Sequence, residues 1–347
     1  MSCLGARARG GRTPSRDAQQ ASRLDDVSSG RRARVVSSRR FLHLAVANFV
    51  VLQFVVTSGA FVRLTGSGLG CDNWPRCGTA PFPTSATSYH ALIEFGNRMV
   101  AVVGIAVALL AWLASRRVDG LPRWVRTVAL AAFLGTVAQI PLGGLTVILE
   151  LHPLAVMSHF LLALVVTGLS MVLVLEAWSH ARGLGESTAP RWLEAVGVAV
   201  VVACAVMVVT GAVATASGPH PGADEDVQRL GLGIADTVYV HVRATAVYGL
   251  GFLLFGWQLL RRRRALPGLV RLGAALLVVL LAQMLLGEVQ YRNALPWGLV
   301  LAHVTLAAAI WALTIAVVHS LFRPPVPLAA QAPRAVAAGA VATPPAA

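Results

Sequence analysis

Four polar side chains, His90, Glu94, Asn97 and Arg98, open an otherwise apolar stretch from Tyr89 to Trp112, and fourteen uncharged residues follow them. In a helix, residues three and four apart share a face, so the four form one stripe running inward from a membrane surface. An ionisable group at the centre of a spanning helix costs roughly 2.5–3.5 kcal/mol, so such groups face a cavity, a cofactor or one another. Glu94 therefore has two readings. It is an interfacial i,i+4 partner of Arg98, or a carboxylate placed to move protons.

Three histidines stand at related places further along. His241 lies about five residues and His303 about six residues inside their apolar runs, roughly 8–9 Å from the same surface. Two neutral imidazoles at equal depth in a four-helix bundle suit a bis-histidine haem, with one nitrogen on each side of the iron. Interhelical hydrogen bonding is the plainer use of the same residues. His159 repeats the position of His303, but its expected partner is Asn97, a poor haem ligand. A haem there has one strong axial bond, with Glu94 one turn away. His90, two turns further out, is a substitute ligand of poorly matched depth. His152 and His220 read as loop residues, and His43, His180 and His319 receive no role.

The elements that position these residues are legible as apolar runs at 41–63, 92–114, 125–149, 153–178, 192–214, 236–260, 268–290 and 297–321. Apolar residues make up 56% of the chain and charged residues 13%, about half the usual charged share, so the expected fold is an all-α integral membrane protein with eight helices. The net charge of +14 comes entirely from arginines. They cluster between apolar runs, as Arg116, Arg117, Arg123 and Arg126, then Arg182 and Arg191, then Arg261 to Arg264 and Arg271. That pattern sets topology, with both termini cytoplasmic, and does not describe a nucleic-acid-binding face. The intervening loop with Asp224, Glu225 and Asp226 is acidic and falls on the outer side.

The chain also repeats. A shift of 144 places Gln139 on Gln283, Leu142 on Leu286, Gly143 on Gly287, His159 on His303 and Asn97 on His241. The segments Thr57 to Gly68 and Thr210 to Gly218 echo each other with a two-residue gap. Two pseudo-symmetric four-helix bundles are expected, at 41–180 and 181–322, between disordered cytoplasmic tails at 1–40 and 323–347. Cys71 and Cys77 flank five residues containing Asn and Pro in the outer loop after the first run. The spacing allows a disulfide and the oxidising side favours one over two free thiols, while its role, structural or redox, stays open.

The run GAFVRLTGSGLGCDNWPRC, followed by HALIEFGNR, QIPLGGLTV and SHF, resembles the haem A synthase family of membrane proteins that assemble cytochrome oxidase. The resemblance covers about residues 40 to 322. It implies oxidation of a ring methyl of haem O to the formyl group of haem A in the cell membrane, with haem b as cofactor. It also implies that Glu94 is the essential acid, that His159, His241 and His303 bind haem iron, and that Cys71 and Cys77 form the outer-loop pair. Many relatives carry a histidine where this chain has Asn97, and some carry a second cysteine pair where it has SGPHPGADED. Arg63 and Arg98 are candidates to hold haem propionates by charge-assisted hydrogen bonds, or ordinary interfacial arginines. Expected partners are membrane lipid and an enzyme that supplies haem O; a homo-oligomer is compatible with the sequence, and no electron partner is identified. The rival reading is a di-haem membrane cytochrome b that transfers electrons without modifying haem. It would more naturally keep four histidines.

Overall fold

The computed structural model describes residues 35–71, 74–77, 88–223 and 227–329. Expectations for Asp224, Glu225 and Asp226, and for the chain before residue 35 and after residue 329, lie outside the described residues. Eight helices follow in order: α1 (Ser38–Leu64), α2 (Tyr89–Ser115), α3 (Arg123–Ile148), α4 (Pro153–Arg182), α5 (Arg191–Ser217), α6 (Ile234–Arg261), α7 (Pro267–Arg292) and α8 (Trp297–Phe322). Each has 26 to 30 residues, about 40 Å at 1.5 Å per residue, and all eight are long and apolar enough to cross a membrane. The fold is all-α, and the chain is a multi-pass membrane protein. Large apolar side chains such as Phe54, Leu110, Leu253 and Trp257 point outward, as hydrocarbon rather than water requires.

Local chemistry sets the helix starts. Ser37 and Ser88 cap α1 and α2 through their hydroxyls, accepting from the Arg40 and Ala91 amides. Pro153 and Pro267 occupy first turns, while Pro122, Pro190 and Pro296 directly precede α3, α5 and α8. α1 begins at Ser38, inside the expected tail, because the Ser37 cap satisfies backbone before the apolar run starts. α4 continues to Arg182, past its expected end at 178. Hydropathy marks the hydrocarbon, whereas helical hydrogen bonding runs on through polar residues.

In the first half α1 packs on α2 and α4, and α3 on α2 and α4; in the second, α5 packs on α6 and α8, and α7 on α6 and α8. Contacts of α8 with α1 and α4, and of α4 with α5, join the halves. The 144-residue shift recurs in the backbone. Glu150 and Leu151 between α3 and α4 have positive φ, as do Ala294 and Leu295 between α7 and α8. Leu151 N donates to Thr146 O and Leu295 N to Gln290 O, both at 2.8 Å.

The two ends of the bundle differ. At the terminal end, Val36 N donates to Arg117 O, and the described residues after Arg323, up to Ala329, make backbone hydrogen bonds. There Val326 N donates to Gly183 O and Gly185 N to Pro324 O, because a chain leaving α8 finds unpaired backbone just past α4. The first-half core, with Phe41, Ala111, Val125 and Leu173, gathers toward this end. At the disulfide end, Gly68 N donates to Gly222 O at 2.7 Å, joining the loops that follow α1 and α5.

Between the halves Trp311 Nε1 donates to Leu164 O at 2.8 Å. Glu176 on α4, 3% exposed, accepts from His319 Nε2 at 2.8 Å and from Arg323 Nε and Nη2 at 2.8 and 3.0 Å. These bonds hold the Arg323 guanidinium above its ordinary pKa. Glu176→Ala strands a histidine and an arginine. Because the Arg323 side chain is 35% exposed, the expected loss is about 1–2 kcal/mol, below the ~3–5 kcal/mol of a fully buried pair. Thermal unfolding of the detergent-solubilised protein should show a lower midpoint, with Glu176→Gln losing less, and an unchanged midpoint would deny the cluster a part in joining the halves.

Candidate active site

A cavity of about 490 Å³ lies among α1 to α4. Glu94, Asn97 and Arg98 of α2, Gln139 and Gly143 of α3 and His159 of α4 all line it, with Trp74 from the disulfide loop. Most of the remaining wall is apolar. Such a space suits a large flat ligand with a few fixed polar contacts.

Glu94 is 5% exposed and fully engaged. Its Oε1 accepts from Arg98 Nη2 at 2.6 Å, and its Oε2 accepts from the Cys71 amide at 2.8 Å. Arg98 reaches on, donating through Nη1 to Pro75 O at 3.0 Å and Arg76 O at 2.9 Å. Cys71 and Cys77 are joined as a disulfide. The loop seats closely on α2 only because residue 70 is glycine, where a Cβ would stand 2.4 Å from the His90 carbonyl carbon. Glu94 is thus the i,i+4 partner of Arg98, and it also lines the cavity. At the 144-residue shift it falls on Val238, so the second half carries no acid there.

The histidines share a construction. A Cβ added to Gly143 would stand 3.2 Å from His159 Cε1, one added to Gly211 would stand 2.9 Å from His241 Cε1, and one added to Gly287 would stand 3.1 Å from His303 Cε1. Each ring lies on a glycine of a neighbouring helix. His241 Nδ1 stands 3.1 Å from Met207 O, which can only accept, so Nδ1 carries the proton and Nε2 keeps its lone pair free. Thr210 Oγ1 is 3.2 Å from the same Nδ1. The Gln139 amide is 2.8 Å from His159 Nδ1, and Gln283 Nε2 donates to His303 O at 2.9 Å. His303 Nδ1 is buried and has no hydrogen-bond partner among the described residues.

Asn97 accepts through Oδ1 from Ser58 Oγ at 2.7 Å. His90, the substitute ligand of the sequence reading, is instead 3.0 Å from Ser67 Oγ through Nδ1. Arg63 lines the cavity mouth but donates to Thr215 O at 2.9 Å and His220 O at 3.0 Å, crossing into the second half. Arg229 meets the same carbonyls and also donates to Gly218 O, and burial lowers its pKa. His220 is a fastening residue rather than a solvated one, with Nε2 2.8 Å from Leu295 O. His319, given no role from sequence, binds Glu176.

Sequence reasoning missed Trp74 and Ser58. Trp74 packs on Gly144, where a Cβ would stand 2.6 Å from the indole, and a tryptophan between two cysteines was the available signal. Ser58 carried no signal beyond its place in the Thr57 to Gly68 echo.

Residues 42–315 match the family described as cytochrome oxidase assembly protein. Proteins named heme A synthase from Bacillus cereus (strain AH187) and Bacillus anthracis (strain A0248) are each 34% identical over 130 residues. The match spans 37% of this chain and 41% of each relative's length. With the family match running through all eight helices, the chain belongs to the haem A synthase family of cytochrome oxidase assembly proteins.

Proposed function

We propose that this protein converts haem O to haem A, binding haem O in the cavity of α1 to α4 and holding haem b between His241 and His303. The observation that carries the reading is one cavity lined by a buried carboxylate, Glu94, and a glycine-seated histidine, His159, with the histidine seat repeated twice in the other half. The residues fit haem. Each ring rests where a Cβ would intrude, and His241 presents the tautomer that a metal ligand needs. Bound haem supplies one-electron chemistry at its iron. Formally, the ring methyl and one water give the formyl group with release of four protons and four electrons, and an external electron acceptor has to take up those electrons.

The chain's own residues bind, orient and exclude water. His159 fixes the substrate from α4, Trp74 and Pro75 cover the cavity from the disulfide loop, and Glu94 accepts a proton at a carboxylate oxygen shared with Arg98 or the Cys71 amide. Arg63 and Arg98 stand where they can meet substrate carboxylates while keeping their bonds to the protein. The arginine-rich loops gather at the terminal end, which we assign to the cytoplasm, with the disulfide loop outside. The recurring 144-residue shift, now in turns and glycine seats as well as in residue types, supports an ancestral duplication.

Two outcomes test the reading. In membranes that also contain a haem O source, extraction and chromatography of the haems should show haem A. Glu94→Gln should lower it by about 100-fold or more while the haem b absorption persists, since general acid–base groups contribute about 10²–10⁴. Haem O accumulating unchanged in the parent protein would favour the electron-transferring cytochrome. Separately, His241→Ala and His303→Ala should each abolish the bis-histidine absorption of purified protein, and His159→Ala should spare it; loss in all three would mean that the two halves do not hold separate haems.

A further inference from the structure

The register of α1 against α5 emerges from their hydrogen bonds. Ser58 Oγ bonds Val55 O and the side chain of Asn97 on α2; Thr210 Oγ1 bonds Met207 O and lies against His241 on α6. Ser58 therefore corresponds to Thr210, Val55 to Met207 and Gly59 to Gly211, a shift of 152 along α1 and α5 beside 144 for Asn97 and His241. The helix ends agree, since Thr65 bonds Phe61 O as Ser217 bonds Val213 O. The two-residue gap seen in the sequence falls after these positions.

Every element that seats the His241 imidazole is thus present in the first half. There is a carbonyl at Val55, a hydroxyl at Ser58 and a glycine at Gly59. The difference lies over the glycine. A Cβ on Gly211 would stand 2.9 Å from the His241 ring, whereas a Cβ on Gly59 would meet nothing within 4 Å. Val55, Gly59 and Asn97 all line the 490 Å³ cavity. Asparagine reaches less far than histidine, so the ring's volume belongs to the cavity. Ser58 holds the Asn97 carbonyl, which turns the amide NH₂ away from Ser58.

The geometry points to a small-ligand site at the fourth histidine position, bounded by Val55 O, Ser58, Gly59 and the Asn97 amide, that takes a neutral lone-pair donor of imidazole size or smaller beside the haem iron. It rests on the reading of the cavity as a haem site. On that reading His159 would be the one histidine of this half to hold the iron, since the position matching His241 carries Asn97. Water is the natural ligand of this chemistry, since it offers a lone pair to the metal and a proton to Val55 O, and it can accept from Asn97 Nδ2. The site gives the first half exchangeable coordination that the second half, with His241 in place, lacks.

Imidazole is the probe. In the purified full-length protein loaded with haem O, the parent should show a high-spin component in absorption and electron paramagnetic resonance. Added imidazole should convert it saturably to low spin, leaving the second-half signal unchanged. Asn97→His should be low spin without imidazole and indifferent to it. Gly59→Val, which fills open space, should weaken imidazole binding by at least tenfold. A parent already fully low spin, an Asn97→His protein that stays high spin, or a Gly59→Val protein titrating like the parent would each overturn the inference. Should Asn97→His fail to fold, the parent and Gly59→Val titrations decide alone. The two readings fail separately: haem A formed by an entirely low-spin protein removes this site and keeps the reaction, whereas imidazole titration without haem A removes the reaction and keeps the site.

Discussion

The contact on which the site depends is an imidazole edge lying against a helix backbone that has no side chain to keep it away. Gly143, Gly211 and Gly287 each provide it, and in each case a Cβ would intrude to within 3.2 Å of the ring. A ring held that way keeps one orientation, and the α3–α4, α5–α6 and α7–α8 pairs must approach closely to hold it. In a bilayer, where no hydrophobic force drives helices together, close approach through small residues is itself a source of stability. The glycines thus set the helix packing and the orientation of the imidazoles with one feature.

The carboxylate is held by the opposite strategy. Glu94 sits against a loop rather than a helix, between the Cys71 amide and Arg98, and Arg98 spends its other donors on Pro75 and Arg76. A buried acid with two charge-compensating donors keeps its position without closing the cavity. The disulfide joins the ends of the loop that supplies one of those donors, so the loop's covalent closure and the carboxylate's placement form one connected structure.

Much of this was legible in sequence because membrane helices make polar residues scarce. The eight helices followed from apolar runs, and Gln139, His159, Gln283 and His303 stood out against leucine and valine. What could not be read was the partner on the next helix. Ser58 touches Asn97 across 39 positions and Arg63 reaches Thr215 across 152, and no local pattern encodes such pairs. The backbone bonds of residues 324–326 were equally hidden, because the Pro- and Ala-rich segment there lacks periodicity and meets residues after α4. The gap in the α1 and α5 repeat was visible, but its location needed the hydrogen bonds of Ser58 and Thr210.

The departures from symmetry are concentrated on one helix. At the shift of 144, α2 carries Glu94 where α6 has Val238, Asn97 where α6 has His241 and Arg98 where α6 has Val242, while Gln139, Gly143 and His159 all match their counterparts. If the second half only holds a haem, as proposed, two fixed rings and an apolar surround serve it. If the first half takes haem O and releases haem A as proposed, one ring, a carboxylate and open space serve it better than two fixed rings. Moving from one to the other requires no change in helix packing, because the seat at Val55, Ser58 and Gly59 keeps its shape whichever side chain faces it. If the halves arose by duplication, as proposed, substitutions on the inward stripe of α2 suffice to distinguish them, with Gln139, Gly143 and His159 keeping the residue types of their counterparts.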